Sequence, residues 1–190
     1  GDKRRTQIVQ QPPDFSREDL IAEEDIVITI THSGYVKRQP IDTYRSQKRG
    51  GRGIQGAGTK EEDFVEHLFA STTHHHVLFF TTRGRVFSIK GYELPEAGRT
   101  ARGNAIINLL SLQPTEKITA VIPIKEFAEG AFLFMATRNG IVKKTDATDF
   151  DSVRKNGLIA IALDDDDDLI GVKLTDGNQN IILGTRDGMA

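Results

Sequence analysis

The sequence predicts an all-β, propeller-like array of four-stranded blades, and three observations carry that prediction. One plan recurs four times along the chain. Each copy has the pattern of a tight β-hairpin, and a second glycine follows each of the first three turns at a nearly constant distance. Repetition at about 50 residues with about four strands per unit is the mark of blades stacked around an axis.

The four copies read "IVITITHSGYVKR" from Ile26, "VLFFTTRGRVFSIK" from Val77, "FLFMATRNGIVKK" from Phe132 and "IILGTRDGMA" from Ile181. Their turn glycines, Gly34, Gly84, Gly140 and Gly188, are 50, 56 and 48 residues apart. In each, a β-branched or aromatic run meets a short glycine turn and a second run begins, which is the hairpin pattern. The second glycines, Gly53, Gly103 and Gly157, lie 19, 19 and 17 residues beyond the turns. After the latter two come further strand-like runs, "NAIINLLSL" and "LIAIAL". One more strand precedes each later hairpin: "DFVEHLF", "KITAVIPI" and "DLIGVKL". The units then run approximately 16–58, 59–112, 113–163 and 164–190, after a linker at 1–15. The chain holds about three full units and the start of a fourth, so an incomplete, open arc of blades is expected.

Helix is scarce. "SREDLIAEED" is the best candidate, with Ser16 capping a turn, although Leu20 and Ile21 suit the start of a strand equally. Phe79, Phe80, Phe132 and Phe134 are expected to pack between sheets. Thr31, Thr81, Thr82 and Thr137 read as ordinary β residues.

Composition bounds the function. Apolar residues make up 37%, lean but sufficient for a core in 190 residues, and the absence of cysteine excludes disulfides and thiolate metal sites. No apolar run approaches the roughly 18 residues of a membrane span. The polar stretch Gly1 to Gln11 is no secretory signal, and the lack of cysteine fits a reducing compartment. Net charge is −2, but the charge is segregated. Five acids oppose one Arg between Arg17 and Asp25, and Asp164 to Asp168 is an unbroken acidic run. A polyanion responds to charge within about 8 Å at physiological salt, so segregated charge can bind it although the total is near zero.

The basic residues follow the repeat. Unit one has Lys37, Arg38, Arg45, Lys48, Arg49 and Arg52; unit two has Arg83, Arg85, Lys90, Arg99 and Arg102; unit three has Arg138, Lys143, Lys144, Arg154 and Lys155. Equivalent positions in a repeated fold form a curved stripe along the rim, the shape against which bent duplex DNA lies. Bending costs about 1–6 kcal/mol per 20–30 bp. Charge-assisted contacts of about 1.5–3 kcal/mol each offset that before their desolvation is counted.

Two other clusters carry less. Three adjacent imidazoles, His74 to His76, alternate sides in extended chain and suit a turn better than a metal. Asp164 to Asp168 lacks the spacing and glycine of a calcium loop and reads as a solvated turn. No metal site, P-loop, paired-carboxylate site or nucleophile–base constellation is carried by the spacing.

The heptapeptide Gln47-Lys48-Arg49-Gly50-Gly51-Arg52-Gly53 resembles, at all seven positions, the signature box of the DNA gyrase A C-terminal domain. "GTKEEDFVEHLF", "LFFTTRGRVF" and "YELPEAGRTARGNAIINLL" are similar to the same family, and "RRTQI" is similar to the segment leaving its breakage–reunion domain. The resemblance implies a β-pinwheel whose blades exchange a strand or hairpin with their neighbours. It implies a non-catalytic domain that wraps duplex DNA around its rim in the positive sense, so that the holoenzyme introduces negative supercoils with ATP. The implied partners are double-stranded DNA, the rest of gyrase A, and gyrase B in an A2B2 assembly, with no membrane. ATP and Mg²⁺ act elsewhere in that holoenzyme, and no cofactor is expected in this chain. Tyr35, Tyr44 and Tyr92 match no nucleophile motif.

The box has its own physical reading. Gly50, Gly51 and Gly53 admit close backbone approach and aim N–H groups at phosphate, while Lys48, Arg49 and Arg52 add charge. Closure of the blade ring against a distant blade is a second role open to it. Two other functions remain open: the homologous C-terminal domain of topoisomerase IV, and a propeller-type scaffold for protein partners.

Overall fold

Eleven strands and five single-turn 3₁₀ helices make up the computed structural model, which describes residues 18–43, 63–186 and 188. The strands are β1 (Asp25–Thr31), β2 (Tyr35–Pro40), β3 (Val65–Thr72), β4 (His76–Thr81), β5 (Arg85–Lys90), β6 (Asn104–Ala105), β7 (Ile118–Ile124), β8 (Phe132–Thr137), β9 (Val142–Asp146), β10 (Leu158–Ile159) and β11 (Leu169–Thr175). They form three antiparallel sheets in the orders β3-β1-β2-β6, β7-β4-β5-β10 and β11-β8-β9. The all-β class and the first three hairpins are as the sequence predicts; the fourth copy, from Ile181, contains no strand among its described residues. The acidic stretch after residue 17 gives one 3₁₀ turn, Glu18–Leu20, and strand begins only at Asp25.

The sheets do not coincide with the sequence units. "DFVEHLF", read as opening the second unit, supplies β3, which pairs with β1 and closes the first sheet. β7 closes the second sheet on β4 and β11 the third on β8 in the same way. The fourth strand of a sheet comes from the following unit: β6 pairs with β2, and β10 with β5. Only two residues of "NAIINLLSL" and two of "LIAIAL" are strand. Each of the first two sheets is thus completed by its neighbour, the exchange that a pinwheel requires.

Burial explains why β4 is apolar at four successive positions, Val77 to Phe80. In β4, Val77 and Phe79 belong to one core, with Ile26, Ile28 and Ile30 of the first sheet. Leu78 and Phe80 belong to a second core, with Leu133 and Met135 of the third. Alternate residues of a strand face opposite sides, so a sheet sandwiched between two others needs apolar residues on both. Each such side chain contributes about 1.5–3 kcal/mol of burial. Phe79 and Phe80 are fully buried, as expected; Phe132 and Phe134, in the third sheet, are only half-buried.

Candidate nucleic-acid interface

Each of the first three hairpin tips is fixed by the same three groups. The turn glycine donates its N–H to the carbonyl of a threonine three residues earlier: Gly34 to Thr31, Gly84 to Thr81, Gly140 to Thr137, and also Gly188 to Thr185. In the first three, the threonine Oγ1 accepts the N–H of the residue after the glycine, at 3.2, 3.3 and 3.1 Å from Tyr35, Arg85 and Ile141. A buried carboxylate from the segment leading into the sheet's closing strand completes the lock. Asp63 accepts the N–H groups of Ser33 and Phe64 at 2.9 and 3.1 Å. Glu116 accepts the Thr81 hydroxyl at 2.6 Å. Asp167 accepts the N–H groups of Asn139 and Asp168 at 3.0 and 2.9 Å.

Burial alone would raise the pKa of Asp63 and of Asp167. The hydrogen bonds from Ser33, Thr31 and Phe64 to the first, and from Thr137, Asn139 and Asp168 to the second, outweigh it and hold both below 3.8. Sequence reasoning does not single out these threonines and acids as a lock. The signal is present: T-x-x-G recurs at every turn, and an acid precedes each closing strand. The expectation that Asp164 to Asp168 is simply a solvated turn is corrected at Asp167, which is 1% exposed.

Between the hairpin and the second glycine, the chain crosses to the outer strand of the preceding sheet. Arg38 and Glu96 form a parallel bridge, with the Arg38 N–H donated to the Pro95 carbonyl at 2.9 Å. Gly103, at φ 88°, lies so close to β2 that a Cβ would stand 2.5 Å from the Val36 carbonyl and 3.0 Å from the Lys37 Cβ. Gly157 repeats this one sheet on, against the Phe87 ring. At these two junctions the second glycine is therefore the point where one blade's chain meets the edge of the preceding sheet.

The twelve described basic candidates divide by what holds them. Lys37, expected on the rim, is instead buried, at 1% exposure. Its ammonium donates to the carbonyls of Gly98, Arg99 and Ala101 at 3.1, 2.9 and 2.9 Å, and burial lowers its pKa from 10.5. Six others are paired with carboxylates: Arg38 with Glu96 at 3.1 Å, Arg85 with Glu116 at 3.0 Å, Lys90 with Glu18 at 2.9 Å, Arg102 with Asp63 at 3.7 Å, Arg138 with Asp168 at 3.0 Å and Lys155 with Glu93 at 2.7 Å. Arg102 also stacks over Tyr35 at 3.6 Å, and Arg85 over Phe87 at 4.6 Å.

Five remain exposed without a carboxylate partner among the described residues. Arg83 stands in the second hairpin turn, and Arg99 and Arg154 lie on the two crossing segments. Lys143 donates to the Ala160 carbonyl at 2.7 Å, and Lys144 lies 4.5 Å over Phe132, both on β9. Arg45 and the heptapeptide Gln47, Lys48, Arg49, Gly50, Gly51, Arg52 and Gly53 lie outside the described residues, as does Tyr44. By sequence count Gly53 stands as far beyond Gly34 as Gly103 stands beyond Gly84. On that count Arg49 and Arg52 take the register of Arg99 and Arg102.

The three histidines turn to three partners: His74 to the Ile21 carbonyl, His75 to Ser71 and His76 to Ser88. No group of three potential metal ligands occurs among the described residues.

Comparison with known proteins places this architecture. The DNA gyrase C-terminal domain, β-propeller family matches residues 25–72, 75–125 and 131–176, which correspond to the three sheets, each a hairpin and its closing strand. The DNA gyrase A chain of Halalkalibacterium halodurans is 54% identical over 100% of this chain, and that of Escherichia coli K12 is 52% identical over 99%. The chain spans 23% and 22% of their respective lengths. Among solved structures, a C-terminal domain of DNA topoisomerase IV superposes with TM-score 0.71 at 32% identity, covering 83% of this chain and 47% of that one. A DNA gyrase A C-terminal domain superposes at 0.63 with 26% identity, covering 80% and 48%.

Proposed function

The chain belongs to the DNA gyrase C-terminal domain family, and on that premise we propose that it binds duplex DNA along its crossing segments and outer strands and bends the duplex around the arc. It has no catalytic centre of its own in this reading. It serves an ATP-dependent type II topoisomerase in the bacterial cytoplasm, as the DNA-wrapping part of gyrase A alongside gyrase B. One observation carries the reading: crossing segments that repeat from sheet to sheet present Arg99 and Arg154 to solvent, and by sequence count Arg49 of the cationic glycine heptapeptide takes the register of Arg99. Phosphate contact by such residues gives affinity independent of base sequence. No helix among the described residues is long and apolar enough to cross a membrane.

Fluorescence anisotropy with a labelled duplex at several salt concentrations tests binding. Each neutralised phosphate adds about −0.9 to the log–log slope. The five exposed candidates alone give a slope of about −4.5, and three more cations from the heptapeptide bring it to about −7. A slope near zero, or no binding at low salt, overturns the reading and favours a protein-binding scaffold.

Wrapping is tested by ligating nicked circular DNA in the protein's presence: captured positive writhe supports it, and an unchanged linking number limits the chain to binding. Replacing residues 47–53 by alanine in the assembled enzyme is expected to abolish supercoiling while sparing relaxation and decatenation. Supercoiling that survives the replacement removes the box from the mechanism, and equal loss of all three activities marks a folding defect. The intact heptapeptide favours gyrase over topoisomerase IV.

A further inference from the structure

The buried lysine has no role in the stripe of cations, yet its surroundings are built. Lys37 lies in β2, and its side chain is enclosed by the crossing segment of the next unit. An ammonium has three N–H donors, and all three find carbonyl acceptors within 2.9–3.1 Å, from residues 98, 99 and 101. None of those acceptors carries a charge. The arrangement is a cage that a cation fills, and its walls belong to one loop. The same loop is held on its N-terminal side by Arg38, whose Nε donates to the Leu94 carbonyl at 2.9 Å, and on its far side by the close seat of Gly103 on β2. Between these fixed points the Lys37 ammonium ties the backbone of residues 98–101 to the first sheet. Arg99, whose carbonyl is one of the three acceptors, points its own side chain to solvent.

We propose that Lys37 is a positioning residue for the DNA interface: its ammonium latches the Gly98–Ala101 backbone onto β2 and so fixes the direction in which Arg99 meets phosphate. Lys37 itself touches no DNA. The proposal rests on the DNA-binding reading above. What it adds is that a residue of one blade sets the geometry of a contact made by the next. The following junction lacks this device, because Phe87 occupies the position of Lys37 there and Gly157 seats directly on its ring. The latch therefore belongs to the junction of the first and second sheets.

The test combines two readouts on the full chain. Amide hydrogen exchange without DNA reports the latch. Lys37→Met should speed exchange at residues 97–102 while β4 and β8 keep their protection. Duplex anisotropy at low salt reports the positioning. Arg99→Ala should weaken binding about tenfold, the loss of one charge-assisted contact. Lys37→Met should lose a similar factor, and Lys37→Met with Arg99→Ala should bind no more weakly than Arg99→Ala alone.

Unchanged exchange in Lys37→Met removes the latch. Faster exchange with unchanged affinity, or losses that multiply in the double variant, removes the positioning role. An Arg99→Ala chain that binds like the unsubstituted one also overturns the proposal, while the unsubstituted chain's own salt-dependent binding still decides the broader reading. If Lys37→Met fails to fold, Lys37→Gln, which keeps two N–H donors, is put through the same two measurements and judged by the same outcomes.

Discussion

Lys37 and Lys143 each stand three residues after a turn glycine, in the second strand of a hairpin, yet one is buried and the other exposed. Nothing in the hairpins accounts for the difference. β2 is covered by the crossing segment of the second unit and paired with β6, whereas β9 has no strand partner on its outer side among the described residues. Val142, Lys143 and Lys144 are all exposed there, while Val36 and Lys37 are not. Register decides which way a side chain points, and the chain that crosses over it decides whether it meets water. At both covered sheets the covering chain comes from the next unit, so a residue's environment is written about 60 to 70 residues downstream of it.

Phe87, the counterpart of both lysines in the second sheet, gives the largest break. It is fully buried, and Gly157 packs against its ring. Phe87→Ala is expected to destabilise the chain by about 3–5 kcal/mol. A urea unfolding curve measures it; a loss below about 1 kcal/mol would show that the crossing segment does not depend on this position.

Gly103→Ala comes next. The added methyl would strike the Val36 carbonyl, which is held in the β1–β2 ladder, and φ 88° is a conformation that alanine resists. The strain and the clash together are expected to cost about 2–4 kcal/mol. Exchange protection should fall at β6 and residues 94–103 before it falls in β4. A variant as stable as the parent would mean that the close seat on β2 is not what covers Lys37.

Acid titration probes what the covered and uncovered sheets share, the hairpin locks. The folded-state pKa values of Asp63 and Asp167 lie below 3.8. The unfolded chain therefore binds protons first, and the stability from these acids is complete above about pH 4 and lost as pH falls through the folded values. Thermal midpoints from pH 6 to pH 2.5 should hold steady and then drop. Asp63→Asn and Asp167→Asn should each flatten part of that drop. If neither changes it, the carboxylates are not what ties the tips to the closing strands.

Much of the fold is legible in the sequence because its determinants are local. Hairpin turns are written in T-x-x-G, and sandwiched strands in unbroken apolar runs such as "VLFF". The pairing partners are not legible. β3 follows the first hairpin after a long connection and reads with the unit it precedes, because sequence spacing records order and not which strand edge is open. The cationic register is visible as well, but a count of Lys and Arg carries no sign of Glu116, Glu96 or Asp63 lying opposite. Six of the twelve described basic candidates are engaged by acids distant in sequence or from another element. Lys37 is misplaced by the sequence for the same reason: its acceptors are main-chain carbonyls, which every residue has and no motif marks.

Lys143 is exposed and donates one hydrogen bond, to the Ala160 carbonyl at 2.7 Å, where Lys37 donates three from within the protein. Water replaces a single exposed bond at little cost, so Lys143→Met should change stability by no more than about 0.5 kcal/mol. Its effect should appear instead in DNA binding, where one fewer phosphate contact lowers the salt slope by about 0.9. Lys37→Met should show the reverse: a change in exchange and stability, with little change in the slope beyond what Arg99 accounts for. Should the two variants behave alike in both measurements, the covering chain would not be what separates a positioning lysine from a binding one.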